Sequence, residues 1–328
     1  MKGGEICMAD REFIMSVPPH IVSKDEVGSA MRDVAIALMP VIVVAIGFFR
    51  LYAIVNLAAC VVAAICSEWV MRKLMKRSVT IDDFSAIVTG LFVGLLLPPA
   101  VPFWYAMIGT VIAVAIVKEL MGGLGRNMFN PALFGFVSML VISRFWAMAN
   151  ASYSLGSLDG VTTATPLTFI KGGSLAGVRP GYLELFLGHA GGAVAEVSVL
   201  AVLVGAAYLM YKGHITWHIP ASIIGTVFIL SAILGQNPLY MILAGGVMLG
   251  SFFMATDWVT SPDCRVAQVL YGVLIGVLIV VIRLYAAPTG AVAYSILIGN
   301  ACTPLFNRFV VRKTFGKVKA TPVAEVAR

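Results

Sequence analysis

The chain has 328 residues, of which 60% are hydrophobic and only 12% charged, and its formal charge is +7. A soluble domain carries roughly twice that charged fraction, so an ordinary water-soluble fold is excluded. The surplus Lys and Arg sit in short stretches beside apolar runs, which is the pattern of membrane orientation signals and not of a nucleic-acid surface.

Residues 1–31 are polar and mixed in charge, include Pro18-Pro19-His20, and lack the pattern of a cleavable signal peptide. They read as a cytoplasmic N-terminal segment. Ten hydrophobic segments follow. The first five are Arg32–Phe49, Leu51–Val70, Phe84–Leu97, Phe103–Met121 and Met128–Ile142, within a first membrane repeat at 32–142. The second five are Gly191–Tyr211, Ile219–Leu234, Leu239–Ala255, Val266–Leu284 and Gly290–Phe306, within a second repeat at 191–306. Between them lies a long loop, 143–190, and residues 307–328 form a basic tail.

Charge sets the expected sidedness. Arg11, Lys24 and Arg32 precede the first span, Arg72, Lys73, Lys76 and Arg77 follow the second, and Lys118 and Arg126 flank the turn after the fourth. Lys212, Arg265 and the run Arg308, Arg312, Lys313, Lys317 and Lys319 fall on the same face if there are ten spans. By the positive-inside rule that face is cytoplasmic, with both termini inside and the loop 143–190 outside.

Five spans per half would insert the second half upside down relative to the first. A weak internal echo supports this: Asn130-Pro131-Ala132-Leu133-Phe134 at the fifth span and Asn300 with Thr303-Pro304-Leu305-Phe306 in the tenth. Inverted repeats with interrupted helices are characteristic of transporters. The expected architecture is therefore all-α and polytopic.

The long loop carries the run Asp159-Gly160-Val161-Thr162-Thr163-Ala164-Thr165-Pro166-Leu167. A threonine hydroxyl can carry a phosphoester, Asp-Gly is prone to turn, and Pro166 keeps the acceptor out of a helix. These residues fit an attachment site for a phosphate-bearing cofactor. The plainer reading is an Asx-type turn with Thr side chains capping the next segment.

The run Asp-Gly-x-Thr-x-Ala-Thr-Pro-Leu resembles the flavinylation motif of the RnfD/NqrB family, and the resemblance extends through Asp82-Asp83-Phe84-Ser85-Ala86, Leu96-Leu97-Pro98-Pro99, Gly125-Arg126-Asn127 with Asn130-Pro131-Ala132, and Ala255-Thr256-Asp257 with Thr260-Ser261-Pro262. The RnfD type is the better match. The resemblance implies FMN joined through its phosphate to Thr165, with Asp159, Gly160, Thr162, Thr163 and Ala164 in the recognition positions; Thr163 departs mildly from the Gly or Ser of many members. It also implies a urea-transporter-like fold of two inverted five-helix repeats and a role in passing electrons between ferredoxin and NAD while Na+ or H+ is exported. The implied partners are the iron–sulfur, NADH/flavin, second covalent-FMN and small membrane subunits of an Rnf complex, and a flavin transferase. NqrB-type relatives also hold noncovalent riboflavin.

Other residues carry less. Lys171 and Arg179 share the loop and are candidates to pair with the phosphate; Tyr153, Phe169 and Tyr182 are candidates to stack on the ring. Lys118 and Glu119 read as an interfacial pair, and Glu68, Asp82 and Asp83 as part of a charge network with the basic loop. Asp257 with Asn127, Asn130 and Asn300 is a candidate second cofactor or ion site, and His189, His214 and His218 read as interfacial. The cysteines (Cys7, Cys60, Cys66, Cys264, Cys302) have no ligand spacing, so no metal is expected. The competing function is a facilitative channel for a small polar solute, which explains ten spans but gives Asp159–Thr165 no role.

Overall fold

A computed structural model describes residues 27–78, 81–98, 101–142, 152–153, 162–163, 181–188, 193, 198–286 and 290–310, and they form an all-α polytopic membrane protein. The first half contains α1 (Val27–Phe49), α2 (Leu51–Leu74), α3 (Ser85–Leu96), α4 (Phe103–Ile112, continuing as a π-helical stretch Ala113–Leu120) and α5 (Pro131–Ile142). After a short α6 (Tyr182–Leu187), the second half contains α7 (Val199–Tyr211), α8 (His218–Ile233), α9 (Pro238–Leu243), α10 (Val247–Leu249, continuing as a π-helical stretch Gly250–Met254), α11 (Arg265–Tyr285) and α12 (Ala291–Phe309). Each expected span contains helix.

Length separates two classes. Val27–Phe49, Leu51–Leu74, Phe103–Leu120 and Arg265–Tyr285 are long and apolar enough to cross a bilayer. Helix α3, with 12 residues, is about 18 Å long at 1.5 Å per residue, short of the roughly 30 Å hydrocarbon core. The eighth expected span differs most from expectation. It breaks into α9 and α10 across Ala244-Gly245-Gly246, where Gly245 has φ +71°. The freed carbonyls are not left in apolar surroundings: buried Arg283 of α11 donates to the carbonyls of Met241 and Ala244. Broken backbone at membrane depth persists only when protein satisfies it in this way.

Both halves share a pattern of neighbours. The second helix packs on the third and fourth segments and the fourth packs on the fifth: α2 on α3 and α4, α4 on α5, then α8 on α9 and α11, and α11 on α12. The halves meet where α1 packs on α7 and α5 on α12. Lipid chains are as apolar as leucine, so these contacts depend on close packing through small residues. A Cβ placed on Gly205 of α7 would collide with the Ala37 carbonyl of α1, and one on Gly135 of α5 would lie 2.6 Å from the Gly109 carbonyl of α4. Only glycine permits either approach.

At one end of the bundle, here called the charged face, polar groups reinforce the α1–α7 contact. The Tyr208 hydroxyl donates to Asp33 Oδ1 at 2.8 Å, His214 Nε2 lies 2.8 Å from Asp33 Oδ2, and Lys212 Nζ lies 3.8 Å from it.

Candidate functional site

The Thr-rich run is only partly described. Thr162–Thr163 form a short strand, β2, antiparallel to β1 (Ser152–Tyr153), with Tyr153 opposite Thr162 and Ser152 opposite Thr163. Thr165 itself, Asp159, Gly160 and Ala164 lie outside the described residues, as do Phe169, Lys171, Arg179 and His189. The hydroxyl of Tyr182, a stacking candidate, accepts a hydrogen bond from the Asn237 side-chain amide, whose oxygen also caps α9 by accepting the Tyr240 N–H at 3.2 Å.

The charged face holds a cleft whose walls come from both halves. Lys118, Asn127 and Asn130 line it from the first half, and His214, Phe253 and Asp257 from the second. Local sequence explains several of these positions. Asn130 precedes Pro131 and caps α5, its Oδ1 accepting the N–H groups of Ala132 and Leu133 at 3.1 and 3.3 Å. Asn at an N-cap and Pro at the first helical position are the preferred pair. The Asn130 amide nitrogen then reaches across to the Met254 carbonyl at 3.4 Å. Asn127 donates to the Phe129 carbonyl at 3.0 Å, while its buried Oδ1 has no partner among the described residues.

Asp257 follows the second π-helical stretch and is half-buried in the wall. Desolvation pushes its carboxyl above the usual carboxylate value, while the Thr260 hydroxyl, 3.2 Å from Oδ2, and the Val259 N–H pull it down. Trp258 covers the cleft beside it, donating its indole N–H to the His214 carbonyl at 2.6 Å. Thus Asn127, Asn130 and Asp257 converge as the sequence suggested. Asn300 does not line the cleft. It lies behind Asn130, hydrogen-bonded to the Tyr271 hydroxyl at 2.7 Å.

Beneath the cleft, the charges arrange themselves differently from the expected interfacial pair. Lys118 and Glu119 do not bond to each other; each reaches back to α2. Lys118 Nζ lies 3.0 Å from Glu68 Oε2, and Arg72 Nε lies 3.2 Å from Oε1 of both Glu68 and Glu119. A π-helix closes its hydrogen bonds at i→i+5, adding a residue to each turn and bringing successive side chains closer to one face. That geometry turns both Lys118 and Glu119 inward. The expected network at Glu68 is therefore present, but buried; Asp83 joins it through Ser85, whose N–H and hydroxyl both bond to Asp83 Oδ1.

Sequence reasoning passed over Asp33, took Arg283 only as one of the sparse charges on the face opposite the basic one, where the structure buries it, and treated His214 as interfacial. Their partners lie far away in the chain, 181 residues for Asp33–His214 and 42 for Arg283–Met241, so no local pattern marks them. Among the described residues, no group of three or more His, Cys, Asp or Glu side chains is placed to hold a metal ion.

The family described as NQR2, RnfD, RnfE matches residues 14–316. The chain is 41% identical over 314 residues to the D subunit of the Na(+)-translocating ferredoxin:NAD(+) oxidoreductase complex of Acetobacterium woodii, covering 95% of this chain and 98% of that protein. It is 37% identical over 321 residues to the D subunit of the proton-translocating ferredoxin:NAD(+) oxidoreductase complex of Clostridium ljungdahlii, covering 93% and 96%. It is 34% identical over 331 residues to the D subunit of the ion-translocating oxidoreductase complex of Alcanivorax borkumensis, covering 93% and 97%. With matches spanning nearly its whole length, the chain belongs to the NQR2, RnfD, RnfE family.

Proposed function

We propose that the chain is the D subunit of an ion-translocating ferredoxin:NAD+ oxidoreductase complex, not catalytic alone, that carries electrons on FMN held by a phosphoester to Thr165. The observation behind this reading is the run Asp159–Thr165 in a chain that otherwise matches D subunits almost end to end. The charged face is taken as cytoplasmic, because the basic residues gather there, and the flavin loop as extracytoplasmic. The remaining subunits of such a complex and a flavin transferase are the implied partners.

The cleft on the charged face is the place this reading assigns to a second, noncovalent flavin of the riboflavin type. Asn127 Oδ1 is a buried acceptor that wants an N–H donor, which the ring's imide edge supplies. Phe253 and Trp258 offer flat apolar surface, and Asn130 is already fixed by α5. A flavin bound there would accept and pass on electrons. The protein's part is to hold the ring's polar edge at Asn127 and to exclude water with Trp258.

The test uses the full chain expressed with a flavin transferase. On a denaturing gel it should fluoresce under ultraviolet light, and Thr165→Val should abolish that fluorescence. An unmodified mass for the peptide containing Thr165 sinks the covalent assignment. Riboflavin extracted from natively purified Thr165→Val protein, and lost in Asn127→Leu, is expected of the cleft; its absence from the Thr165→Val protein removes the second assignment and leaves the first intact.

A further inference from the structure

Three guanidiniums gather at the turn that joins the end of α4 to α5. Arg77 Nη1 donates to the Glu119 carbonyl at 3.4 Å, the same oxygen that accepts the Gly122 N–H at 3.1 Å. Arg126 lays its stem along Gly122, where an added Cβ would meet its Cδ at 2.9 Å, and Arg72 Nη2 would stand 3.7 Å from a Cβ on Gly123. Gly122 and Gly123 have φ of +122° and +94°, a region that side chains rarely adopt, so the turn stays bare and the arginines can close on it. Inside the bundle the charges are already matched, Glu68 and Glu119 being paired with Arg72 and Lys118. At the surface they are not. Lys73, Lys76, Arg77 and Arg126 are exposed, and none of them has a carboxylate within 4 Å among the described residues.

The cluster adjoins apolar surface that faces outward. Leu74 and Leu120, beside it in the chain, are 72% and 59% exposed. Lys73 Nζ lies over the exposed Trp69 ring, 4.7 Å from its centroid, and a tryptophan beside a lysine marks the headgroup level of a bilayer. We propose that Arg77 and Arg126, at the turn Gly122–Gly123, hold the phosphate of an anionic phospholipid whose acyl chains run along Leu74 and Leu120. Guanidinium forks match phosphate oxygens in pairs, and Arg77 spends only one N–H on the Glu119 carbonyl. Basic pockets beside membrane helices are common seats for anionic headgroups. A zwitterionic headgroup would bring its own ammonium against four cations. An acidic protein surface would match the charge but not the two leucines. The assignment needs neither the flavin at Thr165 nor an occupant in the cleft.

The test titrates the purified full chain, delipidated in a neutral detergent, with dioleoyl phosphatidylglycerol and counts bound lipid by native mass spectrometry. The chain should retain this lipid at concentrations where dioleoyl phosphatidylcholine is lost. Arg77→Gln/Arg126→Gln should weaken retention by about fivefold for each arginine removed. Arg265→Gln/Arg308→Gln takes the same charge from exposed positions elsewhere on the charged face and should leave retention unchanged. Should the first double variant fail to fold, Arg126→Gln alone must show its fivefold loss. Equal weakening in the two double variants, or equal retention of phosphatidylcholine, reduces the cluster to diffuse surface charge and overturns the proposal. Displacement of the lipid by equimolar inorganic phosphate or by polyglutamate overturns it too, since the occupant is then a soluble anion or an acidic protein.

Discussion

The side-chain carbonyl of Asn300 accepts the backbone N–H of Asn130 at 3.1 Å, in the amide orientation that also lets its nitrogen donate to the Tyr271 hydroxyl and the Ile296 carbonyl at 2.7 and 3.2 Å. The two asparagines of the internal echo are therefore in contact across the α5–α12 boundary. Asn300→Leu leaves the Asn130 N–H and the Tyr271 hydroxyl short of a partner at a nearly dry site. A loss of about 1–3 kcal/mol per orphaned group is expected, read as a lower midpoint in a thiol-dye thermal unfolding assay in detergent. A Leu variant as stable as the parent would show that the bond carries no weight.

Gly205 is the second test of the boundary between halves. Gly205→Ala drives a methyl into the Ala37 carbonyl, a backbone atom that moves only if α1 moves. The expected cost is about 1–3 kcal/mol, the usual range for overpacking. Gly225 of α8 has nothing within 4 Å of an added Cβ, so Gly225→Ala should stabilise by about 0.5–1 kcal/mol through helix propensity. Equal effects at the two positions would refute the close contact.

Lys118→Met should be more damaging than either glycine change, at about 3–5 kcal/mol, because it leaves Glu68 buried with half its compensation removed. The double variant Glu68→Gln/Lys118→Met should regain much of that loss. Simple additivity of the two single variants in the same assay would mean that they do not form a pair.

Asp257 supplies a pH dependence. Its carboxyl is raised by burial, so the folded protein binds this proton more tightly than the unfolded chain does. Stability from this group is fullest at acid pH, below the unfolded value, and is lost as pH rises through the folded value. Asp257→Asn should therefore raise the unfolding midpoint at neutral pH, with the gain shrinking toward acid pH. A gain that grows on acidification reverses the sign and rejects the account.

Sequence made some parts of this structure plain and hid others for identifiable reasons. Each of the ten segments expected from hydropathy contains helix among the described residues, since a span announces itself in consecutive residues, but α6 lies outside all ten. Asn127, Asn130 and Asp257 converge as their motifs implied. The break between α9 and α10 had a local sign in Gly245-Gly246, but reading it as a break also required Arg283, which arrives from α11. The inward turn of Lys118 and Glu119 had no local sign. It depends on a π-helical stretch and on acids and bases presented by α2, 50 residues earlier for the Lys118–Glu68 bond. The acceptor role proposed for Thr165 rests on its motif, and the residue lies outside the described ones.

The meeting of α1 and α7 has a mechanical consequence. Two rods touching backbone to backbone at Gly205 and Ala37 cannot slide along each other without driving neighbouring side chains into the gap, so any relative movement of the two would have to turn about the point of touch. Asp33 and Tyr208 stand about one helical turn from it, roughly 5 Å, so the lever arm to their hydrogen bond is short. A small turn that left this bond nearly unstretched would carry the far ends of both rods through a much larger arc.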